Sequence, residues 1–206
     1  MKRGLFITME GPDGSGKSTQ IEKIKTFFER QGRRVVLTRE PGGTDISEKI
    51  RELILNKQYK EMAPVTETFL YAAARAQHVA EVIEPALARG DCVVCDRFVD
   101  SSIAYQGYGR GLGDAVAAIN QYAAGDCAPD ITFLLKLSPD MAKSRIPSGE
   151  RDRIESEKRE FHTRVLEGYL ELERECPDRI VGIDATKSIE EIGGEIQEHL
   201  ERLLKK

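Results

Sequence analysis

Five short apolar runs, rich in β-branched residues, alternate along the chain with longer stretches of helical periodicity. The runs are LFITME (5–10), RVVLTRE (34–40), DCVVCD (91–96), ITFLLKL (131–137) and RIVGIDA (179–185), and each reads as a strand. The stretches at about 17–31, 45–57, 65–89, 112–124, 138–146, 154–175 and 188–204 read as helices. Such alternation predicts an α/β fold, a mostly parallel five-stranded sheet with helices on both faces. Ligands of such sheets gather beyond the carboxyl ends of the strands. Chemistry is therefore expected at 10–19, 39–44, 96–102 and just after 184.

A chain of 206 residues is long enough for one domain with a proper core and short for two. It shows no internal repeat or low-complexity linker, so residues 1–206 are expected to form a single domain. The net charge of −4 provides no global field for nucleic acid or an anionic membrane, and neither is expected as a partner. Any anionic ligand must meet a local cluster of basic groups. The apolar stretch in MKRGLFITME is too short for a secretory signal and is ended by Glu10. No run approaches the roughly 20 residues that span a bilayer. With Cys92, Cys95, Cys127 and Cys176 as the four cysteines, this points to a reduced, cytoplasmic setting. Cys92 and Cys95 form a CxxC, but odd spacing in a strand sends them to opposite faces, so both are expected in the core. His78, His162 and His199 lack ligand spacing and read as structural or surface groups.

Gly11-Pro12-Asp13-Gly14-Ser15-Gly16-Lys17-Ser18 matches GxxxxGK[ST] between a strand and a helix, the context that this phosphate-binding loop requires. Backbone N–H groups would point at phosphate oxygens, helped by the helix amino terminus. Lys17 would reach the β- and γ-phosphates and Ser18 would hold Mg²⁺. The loop indicates nucleotide binding without naming a reaction. The one NK, Asn56-Lys57, does not continue into the guanine-reading NKxD, and motor or transporter ATPases need larger chains. A phosphotransferase is the better expectation.

Thr38-Arg39-Glu40-Pro41-Gly42-Gly43-Thr44 and Asp96-Arg97-Phe98 end the second and third strands. The Pro-Gly-Gly turn is rigid. Arg39 and Arg97 are expected to converge on one acceptor phosphate by bidentate contacts, with the phosphate loop between them in the sheet.

EGPDGSGKSTQ (10–20), TREPGGT (38–44), YAAARAQH (71–78), DRFVDSSIAYQG (96–107), RDRIE (151–155) and IDATKS (183–188) together resemble thymidylate kinase, over essentially the whole chain. The resemblance implies a P-loop NTPase-type three-layer fold forming one nucleoside monophosphate kinase domain with a short lid at about 143–158. It implies transfer of the γ-phosphate of ATP to dTMP, with Mg²⁺, in a homodimer whose apolar face comes from helix 65–89 or helix 112–124. Arg39 and Arg97 would take the dTMP phosphate, and Asp13 the sugar 3′-hydroxyl. Tyr71 would stack on thymine, and Arg75, one helical turn on, would donate to a thymine carbonyl. Ser102 sits at a base contact, and Tyr105 would crowd the 2′ position of a ribonucleotide. Asp96 is expected near Mg²⁺, directly or through water. Residues 11–18 with Thr19 would enclose the ATP phosphates, and Thr186 would border adenine.

A monophosphate is largely ionised at neutral pH, its second pKa being about 6, so no general base is needed. Catalysis becomes positioning plus cations: Lys17, Mg²⁺, Arg39, Arg97 and an arginine from the lid. The resemblance implies that the lid supplies this last cation because Gly14 occupies the loop position that carries arginine in some relatives. Arg151 and Arg153 are both candidates to contact the transferring phosphoryl group, and Arg145 is the candidate to pack on adenine. The alternatives are a related kinase for another deoxynucleotide or a deoxynucleoside, with Glu40 as conceivable base, or a non-catalytic P-loop binding protein.

Overall fold

Strand β1 (Phe6–Glu10) buries all five of its residues, as a strand with neighbours on both edges and helices on both faces must. The computed structural model describes residues 3–146 and 152–205. β2 (Val35–Arg39), β3 (Cys92–Asp96), β4 (Ile131–Lys136) and β5 (Ile180–Asp184) complete a parallel sheet in the order β2-β3-β1-β4-β5. The expected strands are met to within a residue at either end. Their order corrects one expectation. β3 separates β2 from β1, so the phosphate loop lies beside Arg97, not between Arg97 and Arg39. Register sets Arg39 opposite Asp96, which brings both strand tips level.

Alternation along the strands divides the core. Ile7, Met9, Val94, Phe133 and Leu135 pack against Ile21, Ile24 and Phe28 of α1 (Lys17–Glu29) and Ile192, Ile196 and Leu200 of α9 (Ile189–Leu204). On the other face, Phe6, Val93 and Cys95 meet Val79, Ile83 and Phe98. Cys92 and Cys95 fall in different clusters, as their spacing requires. Burial drives both thiols up, Cys92 to about 12. α9 begins with a capping box between Ser188 and Glu191, one sequence-legible reason why it starts there.

The expected helix 65–89 is α3 (Pro64–His78), a π-helical segment Val79–Ile83 and α4 (Glu84–Ala88) in unbroken succession. Pro85 has no N–H and crowds the preceding turn, which accounts for the widened ladder ahead of it. α2 (Asp45–Leu55) is capped by Thr44, whose side chain accepts from Ser47 N at 3.1 Å.

An element absent from the sequence reading follows β3: α5 (Val99–Ser102) and a π-helical segment, Ile103–Gly109. Its glycines carry no apolar stripe, and tertiary packing holds it. A Cβ on Gly109 would come within 2.7 Å of the Phe161 ring. After α6 (Ala115–Ala124) and α7 (Pro139–Arg145), the expected helix from 154 starts later, as α8 (Arg159–Glu175). Asp152 Oδ1 accepts from Ile154 N and Glu155 N at 2.8 Å, so residues 152–155 form a side-chain-closed turn instead.

Candidate active site

Between β1 and α1, Gly11 (φ +128°) passes so close to β4 that a Cβ would lie 2.4 Å from Leu135 O. Gly14 (φ +80°) is pressed by α7, with Arg145 Cβ 3.1 Å from where its own Cβ would be. A side chain at position 14 would be strained by this backbone conformation and would need α7 to give by a few tenths of an ångström. Gly16 caps α1 without a side-chain hydrogen bond, leaving the first amide donors open to an anion. Lys17 Nζ donates to Gly11 O and Pro12 O at 3.2 Å and to Asp13 Oδ1 at 3.3 Å. It also lies 4.0 Å from Asp96 Oδ1, a buried oxygen without a hydrogen-bond partner. Ser15 lies buried in the loop, whereas Ser18 and Thr19 are exposed on α1.

These residues fit Mg²⁺. A hard cation takes one or two protein oxygens and completes its shell with phosphate and water. Ser18 and the unpartnered oxygen of Asp96 are suitable donors. Among the described residues no group of three or more His, Cys, Asp or Glu could hold a metal alone.

Beyond the loop, a cleft of about 620 Å³ is lined by Asp13, Arg51, Tyr71, Arg75, Arg97 and Tyr105, among others. Arg97 has φ +69°, an uncommon conformation for a side-chain-bearing residue that costs on the order of 1 kcal/mol. Its surroundings impose it. The Arg97 amide donates to Met9 O at 2.9 Å, while Nη2 donates to Asp13 Oδ1 at 2.9 Å. Nη1 donates to Ser101 Oγ and Tyr169 Oη, both at 3.2 Å, and the guanidinium sits 5.3 Å from the centre of the Tyr105 ring. Burial works against ionisation of both Asp13 and Arg97 and is overridden by their mutual attraction. Asp13 is held well below the usual carboxylate range and Arg97 well above its ordinary value. Burial raises the Tyr71 and Tyr105 hydroxyls, Tyr105 to about 12, so both stay neutral.

Arg75 is buried at the back of the cleft. Its Nε donates to Glu40 Oε2 at 2.7 Å, and Nη1 donates to Ser102 Oγ at 3.0 Å and to Asn120. Glu40 Oε1 also meets His78 Nδ1 at 2.9 Å. Ser102 is thus engaged by Arg75, and Glu40 is enclosed between two side chains, which disqualifies it as a proton acceptor for substrate.

Two expected site residues stand elsewhere. Arg39 is exposed, with Nη2 on both carboxylate oxygens of Glu48 at 3.0 and 2.9 Å, and it does not line the cleft. The reason is local: Glu48 is fixed by Gly43 N at 2.9 Å and draws the guanidinium outward. Arg153 is also turned from the cleft, against its expected phosphoryl contact. Its Nε donates to Ile54 O and its Nη2 to Glu67 Oε2, both at 2.7 Å. Glu67 is completely buried, and Gln106 and Arg110 donate to it as well. Arg151 lies outside the described residues. Arg145 does sit at the loop, donating to Gly14 O at 3.2 Å and to Ala185 O at 3.3 Å, beside Thr186, whose hydroxyl donates to Asp184 Oδ1 at 2.7 Å.

Sequence reasoning missed Arg51, which enters the cleft from α2 and donates to Pro41 O at 2.8 Å. It also missed the buried carboxylates of Glu10 and Glu67, whose partners are far away in sequence.

The thymidylate kinase family model matches residues 9–196. Thymidylate kinase of Exiguobacterium sp. is 49% identical over 203 residues, covering 97% of this chain and 96% of that one. That of Lactobacillus delbrueckii subsp. bulgaricus is 50% identical over 195 residues, 92% of each chain. The crystal structure of thymidylate kinase from Ehrlichia chaffeensis superposes with a TM-score of 0.78 at 33% identity, covering 97% of this chain and 99% of the other. With a P-loop joined to an arginine-lined cleft and relatives matched over nearly their full lengths, the chain belongs to the thymidylate kinase family.

Proposed function

We propose that this chain transfers the γ-phosphate of ATP to dTMP, giving dTDP and ADP. The observation that supports it most is the ion pair of Asp13 with Arg97, which joins the phosphate loop to the acceptor cleft. Arg97 takes the acceptor phosphate and Asp13 the sugar 3′-hydroxyl. Arg51 is assigned beside Arg97, in the role expected of Arg39. Tyr71 supplies the flat face for thymine and Arg75, oriented by Glu40, a carbonyl donor. Tyr105 narrows the sugar end of the cleft.

On the donor side, the glycine amides, Lys17, Ser18 and Thr19 enclose the triphosphate, and Arg145 and Thr186 border the adenine. Mg²⁺, held by Ser18 and Asp96, would supply positive charge at the phosphates. The acceptor phosphate is its own nucleophile. The chain is read as one nucleoside monophosphate kinase domain with its lid at about 143–158. Arg153 is assigned as an anchor of that lid through Glu67, not as its catalytic cation.

A cytoplasmic homodimer completes the reading. Ile46 and Leu53 on α2 and Val65 and Phe69 on α3 are each 45–56% exposed, an apolar strip of the kind that interfaces cover. This favours α3 over α6 as the source of the face. Among the described residues, no helix is long and apolar enough to cross a membrane.

A coupled ADP-release assay with Mg²⁺-ATP tests the proposal on dTMP, dUMP, dCMP and thymidine. The fastest turnover is expected with dTMP and none with thymidine. Turnover of thymidine but not dTMP would replace the reading with a nucleoside kinase.

A further inference from the structure

Glu10 ends β1 with its side chain completely buried, one residue before the phosphate loop. Oε1 accepts from Phe98 N at 2.8 Å and Ser101 N at 3.3 Å. Oε2 accepts from Ser101 Oγ at 2.5 Å and Tyr169 Oη at 2.8 Å. These are the two hydroxyls that receive Nη1 of Arg97. We propose that Glu10 is a positioning residue for phosphoryl transfer: it fixes Arg97 through the Ser101 and Tyr169 hydroxyls and through the backbone that follows Arg97.

The chemistry is one of hydroxyl direction. A hydroxyl has one hydrogen to give and two lone pairs to receive. The two hydroxyls also lie 2.9 Å from each other, and a carboxylate that draws the hydrogens of both leaves both oxygens presenting lone pairs to Arg97. A glutamine in its place either turns its NH2 toward the two hydroxyls, whose hydrogens must then point elsewhere, or turns it toward the N–H groups of Phe98 and Ser101, where donor meets donor. The Phe98 bond matters equally, because it pins the residue after the left-handed Arg97. No contact of Glu10 with a substrate is needed.

A carboxylate serving only stability would be a poor choice here. Burial first, then the nearby Asp100 charge, raises its pKa to about 7, against the lowering effect of Arg97. Arg179 pairs with Asp100 at 2.6 Å, and Tyr105, Tyr169 and Cys95 also face the group. Between the ordinary carboxylate value of about 4.3 and pH 7, the unfolded chain releases a proton that the folded chain retains. Glu10 therefore lowers stability increasingly as pH rises through that window.

The inference rests on Arg97 as the acceptor-phosphate ligand, and the variants separate the two. Glu10→Gln, Tyr169→Phe and Arg97→Lys are assayed for the KM of dTMP and of ATP, and melted without ligand from pH 5 to pH 8. The first two are expected to raise the dTMP KM about tenfold and to leave the ATP KM within about twofold. The melting temperature of Glu10→Gln should also climb relative to wild type as pH rises. An unchanged dTMP KM in Tyr169→Phe or Glu10→Gln, with Arg97→Lys impaired, overturns the inference alone. If Glu10→Gln does not fold, Tyr169→Phe decides. An unchanged dTMP KM in Arg97→Lys overturns the acceptor reading and the inference with it.

Discussion

Arg97, at the tip of β3, and Arg153, shortly before α8, are both shielded arginines held by a carboxylate, yet only one of them faces the cleft. Arg97 keeps a face on the cleft, because its partners Asp13 and Ser101 line that cleft as well. Arg153 is consumed by Glu67 and the Ile54 carbonyl behind it. Charge alone therefore does not place an arginine in the cleft; the location of its counter-ion does. Glu67 binds Arg110 and Arg153 together, so it ties residues 152–158 to α3, the helix that bears Tyr71 and Arg75.

That contrast can be broken from either side. The largest effect is expected from Glu67→Ala, which removes the buried carboxylate that Arg110 and Arg153 share. Denaturant unfolding should show a loss of about 3–5 kcal/mol. Arg153→Ala should be milder, near 1–3 kcal/mol in the same experiment, with an unchanged KM for dTMP. Arg97→Ala should reverse that pattern, lowering kcat/KM for dTMP roughly 100-fold in steady-state assays. Arg39→Ala should change kcat/KM by less than about tenfold, as an exposed pair with Glu48 contributes about 0–1 kcal/mol. The smallest signal concerns pH. The pKa of Asp13 is depressed on folding, so its contribution to stability is present above the ordinary value of about 3.9 and lost below it. The melting-temperature advantage of wild type over Asp13→Asn should therefore shrink as pH falls below about 4.

The donor side was legible in the sequence because its parts are contiguous. Residues 11–18 need a strand before them and a helix after them, and the apolar pattern supplies both. The acceptor wall was legible only as residue types. Glu40 meets Arg75 and His78 across 35 and 38 residues, and Glu10 meets Tyr169 across 159, distances at which no local pattern pairs a carboxylate. Strand order was hidden for the same reason, and with it the asymmetry between Arg97 and Arg39. The segment Ile103–Gly109 escaped because π-helical spacing and glycine leave no 3.6-residue stripe. In the sequence Arg51 is one of several charged residues of α2, and only the fold turns it toward the cleft.

On the proposed assignment one side chain joins the donor and acceptor sites. Asp13 touches Lys17 on one side and Arg97 on the other. Calorimetric titration of dTMP and, separately, of Mg²⁺-ATP into wild type and Asp13→Ala addresses it most directly. A tenfold or greater weakening of dTMP, about 1.5–3 kcal/mol for a charge-assisted bond, with ATP nearly unchanged, is the predicted result. Equal weakening of both nucleotides would contradict the assignment of Asp13 to the acceptor.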